Sequence, residues 1–240
     1  MPVNFIKIFQ DSWNFILNQR QMALFFLLLL VIDNVFFRYL LNGVDPQSEG
    51  GGSTFLMLTV AGQVVNSLLI LWFLSMITFI SQQKPANLSN AFTYAVKKTP
   101  IFLLLNFLIV MPFSLAAASY VATGGGSLFA LPSVLIGCYL FIRLCLAPYS
   151  YVLENSTFSQ ALKLVWLNGS GKRILPLFLF SLLVYLIPLI ITLQLAPLAS
   201  SIVMTLIVAA VSASISLFTL VFTYRFYQLF IDKNILRKFQ

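Results

Sequence analysis

Six mostly apolar stretches divide the chain, at roughly 21–41, 55–80, 100–122, 128–152, 174–195 and 199–229. Each is about 20 residues or longer, the length a helix needs to cross the hydrocarbon core of a bilayer. A membrane β-barrel would instead show apolar residues at alternate positions, in strands of about ten. Hydrophobic residues make up 60% of the 240-residue chain, charged residues 8%, and mean hydropathy is +0.97. That composition leaves too little polar surface to cover a water-soluble globule of this size. The sequence therefore predicts an all-α integral membrane protein with six transmembrane helices, in a bacterial inner membrane.

Basic residues set the orientation. Lys7 and Arg20 precede the first run, Lys84, Lys97 and Lys98 lie between the second and third, and Lys163, Lys172 and Arg173 between the fourth and fifth. Lys233, Arg237 and Lys238 come after the sixth, while the connections at 42–54, 123–127 and 196–198 carry no Lys or Arg. Cytoplasmic loops collect cations, so both termini are expected in the cytoplasm. The same pattern accounts for the net charge of +8 without nucleic acid, since no basic stripe with interleaved aromatics lies on a soluble surface. Arg20 ahead of 22–32 resembles a signal peptide, but no small-residue cleavage site comes after it, so a retained span is expected. The runs Gly50-Gly51-Gly52-Ser53 and Gly124-Gly125-Gly126-Ser127 read as solvated turns, with no Walker-type Lys-Ser/Thr after either.

A short amphipathic pattern precedes three of the six runs. Phe5, Ile8, Phe9 and Trp13 are echoed by Leu88, Ala91, Phe92, Ala95 and Val96, and by Phe158, Ala161, Leu162, Val165 and Trp166. The i, i+3, i+4, i+7 spacing makes one apolar stripe on a helix, and the adjacent cations suit anionic phospholipid headgroups. These are expected to be three interfacial helices on the cytoplasmic side. With the spans they make a threefold repeat of amphipathic helix plus hairpin, in units of approximately 1–80, 81–153 and 154–240. Two units share proline spacing: Pro100 and Pro112 in one, Pro176 and Pro188 in the other. The second proline of each pair is expected to kink its span.

The fourth run and the segment after it carry a recognisable pattern: Gly137, Cys138, Tyr139, Leu140, Arg143, Leu144, Leu146, Ala147, Pro148, Val152, Leu153, Glu154, then Ala161, Leu162, Lys163 and Trp166. It resembles the signature of YciC-type inner-membrane proteins, and of the membrane domain fused to some glycerophosphodiester phosphodiesterases. Asp11, Asn14, Phe15, Asn18 and Gln19 are similar to the start of YciC proteins. Where the family's pattern has proline before the glycine, this chain has Ile136, with Pro132 upstream. The resemblance implies six spans and a cytoplasmic tail, and it implies no activity, because the phosphodiesterase chemistry belongs to a separate domain. Within the pattern, Ala147-Pro148 is expected to end the span, and Glu154-Asn155-Ser156 to cap the helix carrying Trp166.

Two charges fall inside predicted spans. Asp33 lies about 18 Å along the first and Arg143 about 15 Å from the cytosolic end of the fourth, at 1.5 Å per residue. Each costs on the order of 3 kcal/mol if exposed to lipid, so an Asp33–Arg143 ion pair is expected, with Gln63 and Asn66 as hydrogen-bond partners. Such a polar site fixes helix register, binds an anionic headgroup or relays a proton; alternatively Arg143 snorkels towards the cytosol and Asp33 outward. Arg38 and Arg225, near span ends, are expected to snorkel. Histidine is absent, carboxylates are scattered, and Cys138 and Cys145 lie two helical turns apart, too far for a disulfide. No catalytic residue, metal site or cofactor is therefore expected. The expected function is non-enzymatic: engaging phospholipid in transport, lipid homeostasis or envelope assembly. The alternative is a small transporter or channel lined by Asp33, Gln63, Asn66 and Asn106.

Overall fold

The computed structural model describes residues 3–48, 50–83, 85, 87–122, 130–169, 171–199 and 201–232. The expectations for Lys84, the turn at 123–127, and Lys233, Arg237 and Lys238 fall outside them. Among the described residues there are ten α-helices and no strand: α1 Phe5–Asn18, α2 Arg20–Asn42, α3 Gly51–Ser81, α4 Leu88–Ala122, α5 Ala130–Leu144, α6 Ala147–Leu153, α7 Phe158–Asn168, α8 Ile174–Ser181, α9 Ile187–Leu195 and α10 Ile202–Phe230. Six stretches are long and apolar enough to cross a membrane: Arg20–Asn42, Gly51–Ser81, Leu88–Leu115, Pro132–Leu153, Ile174–Leu198 and Ile202–Phe230. They overlap the six apolar runs, the third beginning twelve residues ahead of its run, and the chain is a multi-pass helical membrane protein.

The described residues divide into two compact units, one within 3–99 and 183–225, the other within 100–182 and 226–232. In the first, Asn4 caps α1 by accepting from the Lys7 amide at 3.1 Å. Helices α2 and α3 form an antiparallel hairpin, turned at Gly50, whose φ of 78° suits glycine. Phe26 packs on Phe73 at 4.9 Å and edge-on to Trp72 at 5.2 Å. The Trp72 indole also meets Phe92 at 5.0 Å, and its N–H donates to the Leu88 carbonyl at 3.0 Å, fastening α3 to the start of α4. Ile8, Ser12 and Phe15 of α1 are buried, and Phe9 lies 4.9 Å from Phe218 of α10.

In the second unit, α5 ends at Leu144 and Ala147-Pro148 start α6, where a proline costs no helical hydrogen bond. Helix α7 begins with a capping box: the Thr157 hydroxyl accepts from the Gln160 amide, and the Gln160 side chain accepts from the Thr157 amide at 3.0 Å. The expectation that Glu154-Asn155-Ser156 would cap this helix is corrected. Glu154 instead closes α6, and Asn155 makes the turn at a φ of 49°. Phe180 stacks on Phe226 at 4.3 Å. Buried Asn168 ties three segments together: its Oδ1 accepts from Arg173 at 2.9 Å and from the Asp232 amide at 3.0 Å, and its Nδ2 donates to the Leu164 carbonyl.

Two further expectations change. The amphipathic segment at 88–99 is no separate interfacial helix but the first part of α4, which continues through Pro100 and Pro112. Within it, the Thr99 hydroxyl donates to the Ala95 carbonyl at 2.8 Å in the turn before Pro100. The two mid-span prolines also differ locally. The α4 backbone passes through Pro112 as α-helix, whereas Leu182–Leu186 widens to a π-helical turn just before Pro188.

Asn168→Ala leaves the Asp232 amide and Arg173 without their shared acceptor. We expect a loss of about 2–3 kcal/mol in equilibrium unfolding in mixed micelles, and a smaller loss for Asn168→Asp, which keeps the acceptor oxygen.

Candidate functional site

The polar residues of the α2–α3 hairpin converge on one cleft. On α2, Asn34, Arg38 and Asn42 recur every four residues and so form one stripe, with Asp33 beside it. On α3, Thr59, Gln63 and Asn66 recur at four and three. The hairpin brings these stripes face to face around a cleft of about 510 Å³, which the Ala196 backbone also lines. Gly62 permits the close approach, since a Cβ there would lie 3.2 Å from the Phe37 ring. The cleft occupies the half of the hairpin nearest its turn: Asp33 is nine residues from the end of α2, or about 14 Å.

Asp33 is 8% exposed. Its Oδ2 accepts a hydrogen bond from Asn66 Nδ2 at 3.2 Å, and its buried Oδ1 has no hydrogen-bond partner. One amide bond is little compensation for a carboxylate removed from water. Arg38 does not supply the rest, because it donates to the Ala196 carbonyl at 3.1 Å, at the end of α9, where the helix dipole favours a cation. Five residues separate Asp33 from Arg38 on α2, an interval that does not bring side chains together as four does. The cleft thus holds two unlike charges that leave each other unpaired.

Arg38 and Asn42 also border a second, larger opening of about 660 Å³ on the other side of α2. Its walls are mostly apolar, with Val31, Ile32, Val35 and Phe36 facing Leu206 of α10. A polar and an apolar cleft therefore meet at one guanidinium.

Of the residues singled out in the sequence, Asp33, Gln63 and Asn66 share this cleft, while Arg143 belongs to the other unit. Buried Arg143 donates from Nη2 to the Trp166 carbonyl at 2.7 Å. Its guanidinium lies 4.2 Å over the Trp166 ring and 5.8 Å over Tyr139. Its partners are thus a carbonyl and two aromatic faces, its buried Nε has no hydrogen-bond partner, and no ion pair with Asp33 is found among the described residues. The rest of the sequence pattern packs around it. Gly137 lets α5 approach α4, since a Cβ there would lie 3.3 Å from Pro112. Ala147, Pro148, Val152 and Ala161 are buried where α6 meets α7, with Leu153 partly covered and Glu154 ending α6. These residues form a packing hub around α5, α6 and α7.

Sequence reasoning overlooked Asn34, Asn42 and Thr59 and gave Arg38 to snorkelling. The signal was the four-residue recurrence of polar side chains within apolar helices. Arg225, also expected to snorkel, lies over the Phe15 ring at 5.4 Å. Among the described residues no cluster of metal-ligating side chains occurs.

Asp33→Asn keeps the side-chain shape and an acceptor for Asn66 while removing an uncompensated charge. In lipid-free detergent this variant should be more stable than the wild type, by on the order of 1 kcal/mol, with a higher thermal midpoint. A fall of several degrees would mean the carboxylate is structural.

No protein-family model matches the chain, and no solved structure matches it. Along 96% of its length it is 29% identical to an uncharacterised protein of Haemophilus influenzae, of which the alignment covers 99%.

Proposed function

We propose that the protein is a non-enzymatic component of the bacterial inner membrane that binds phospholipid, in lipid transport, lipid homeostasis or envelope assembly. The observation that carries this reading is the meeting of a polar and an apolar cleft at Arg38, an arrangement suited to an amphiphile. A second feature agrees. Each amphipathic segment buries one face and leaves large apolar residues exposed at its edge: Phe9 and Trp13 beside buried Ile8 and Ser12, Phe92 and Val96 beside Ala91 and Ala95, Trp166 beside Ala161 and Val165. Those outer edges, beside Lys7, Lys97 and Lys163, suit a bilayer surface with anionic headgroups. With the termini in the cytoplasm, as the alternation of cations favours, the cleft opens in the periplasmic half. The likeness to YciC-type proteins belongs to the same proposal.

A small transporter is the second reading, favoured by the partly unpaired Asp33 carboxylate inside a span.

Native mass spectrometry of protein purified in mild detergent tests the proposal. The wild type should keep phospholipid through detergent exchange, and Arg38→Gln should lower the lipid-bound fraction severalfold at unchanged monodispersity. Equal retention by both proteins would contradict it, and cation flux in reconstituted phospholipid vesicles, lost in Asp33→Asn, would favour the second reading.

A further inference from the structure

We infer that the α2–α3 cleft selects an aminophospholipid, with the lipid's phosphate on Arg38 and its primary ammonium on Asp33. This rests on the reading of the protein as a phospholipid binder and names the lipid class. The first ground is charge. Asp33 and Arg38 line one cleft with opposite signs, and neither is paired with the other. A zwitterion with phosphate and ammonium two carbons apart answers both, whereas a headgroup without the ammonium brings its negative charge towards an unneutralised carboxylate.

The second ground is the kind of hydrogen bonding on offer. Asn66 donates from Nδ2 to Asp33, and Asn34 donates from Nδ2 to the Leu30 carbonyl at 2.7 Å. Each amide is thereby oriented, with its oxygen and one further N–H left over. Beside the Asp33 carboxylate, 92% buried by its 8% exposure, the deep end of the cleft is rich in acceptors. A primary ammonium brings three N–H donors to such a place, and a quaternary ammonium brings none. At the outer end, Arg38 commits one nitrogen to the Ala196 carbonyl and keeps further donors of its fork for a phosphate.

The third ground decides between a lipid and a free phosphorylated amine. Arg38 also borders the apolar opening walled by Val31, Val35, Phe36 and Leu206. An acyl chain lies there while its headgroup turns inward past Arg38, and a water-soluble headgroup has no use for that wall.

Native mass spectrometry of the full chain, offered equimolar phosphatidylethanolamine, phosphatidylcholine and phosphatidylglycerol with the same acyl chains, tests this. The wild type should retain the ethanolamine lipid about tenfold over the other two, the worth of one charged hydrogen-bonded contact. Asp33→Asn should erase that preference. Equal retention of the three lipids by the wild type, or an unchanged ranking in Asp33→Asn, would overturn the inference while leaving phospholipid binding intact. Absence of all three from the wild type would instead overturn the proposed function. Excess O-phosphoethanolamine should fail to displace the lipid, and displacement would reassign the site to a soluble ligand. The wild-type ranking needs no substitution, so a poorly folding variant cannot hide the result.

Discussion

A carboxylate well inside an apolar helix has to be answered from within the protein, and the α2–α3 hairpin is arranged around that requirement. Asp33 draws Asn66 across the hairpin, and the polar stripes on both helices meet where water or a headgroup can enter. Without polar partners, a charge at that depth would cost on the order of 3 kcal/mol or more. Only one oxygen of the carboxylate is hydrogen-bonded by the protein, and the other is buried without a partner.

The two intramembrane charges are surrounded differently, one by aromatic faces and the other by a polar cleft. Arg143 is enclosed: a carbonyl at 2.7 Å and an indole face at 4.2 Å occupy it, and Gly169 lets the surrounding turn close, since a Cβ there would lie 2.8 Å from Leu177 and 3.6 Å from Arg143 Nε. Desolvated cation–π contact of that kind contributes about 2 kcal/mol, although the buried Arg143 Nε has no hydrogen-bond partner. Asp33 and Arg38 line an opening, with Asp33 Oδ1 buried without a hydrogen-bond partner and part of the Arg38 fork uncommitted. The residues that form the recognisable sequence pattern thus build a scaffold, while the candidate site lies in the other unit, among residues that belong to no such pattern.

How far the sequence can be read is set by the range of the forces involved. Span length depends only on local apolar content, so all six spans were legible to within a few residues, apart from the third, whose helix starts twelve residues early at Leu88. A break before Pro100 was a reasonable expectation, but the amphipathic face carrying Ala91 and Ala95 buries in the same unit as the α3 aromatics and continues the helix. Residue types at the site were legible for Asp33, Gln63 and Asn66, because polar groups inside spans stand out. Partner choice was not. Depth alone suggested Asp33 with Arg143, yet which helices adjoin is a tertiary property, and Arg143 was met by Trp166 through the turn that α6 and α7 make. Arg38 was misread for a related reason: closeness to a span end suggests snorkelling, and only the fold shows that the end of α9 supplies the Ala196 carbonyl.

The central claim is that a polar, enterable cleft exists within the apolar hairpin. Thiol accessibility tests it most directly, in a background with Cys138 and Cys145 replaced by alanine. Gln63→Cys places a thiol in the cleft and Val64→Cys, one residue on, places it on the hairpin's apolar surface. In intact spheroplasts a membrane-impermeant maleimide should label the first and leave the second unmodified, and pre-loading with phosphatidylethanolamine should slow the first. Equal protection of both positions would show that the hairpin is sealed and that Asp33 is a buried structural charge.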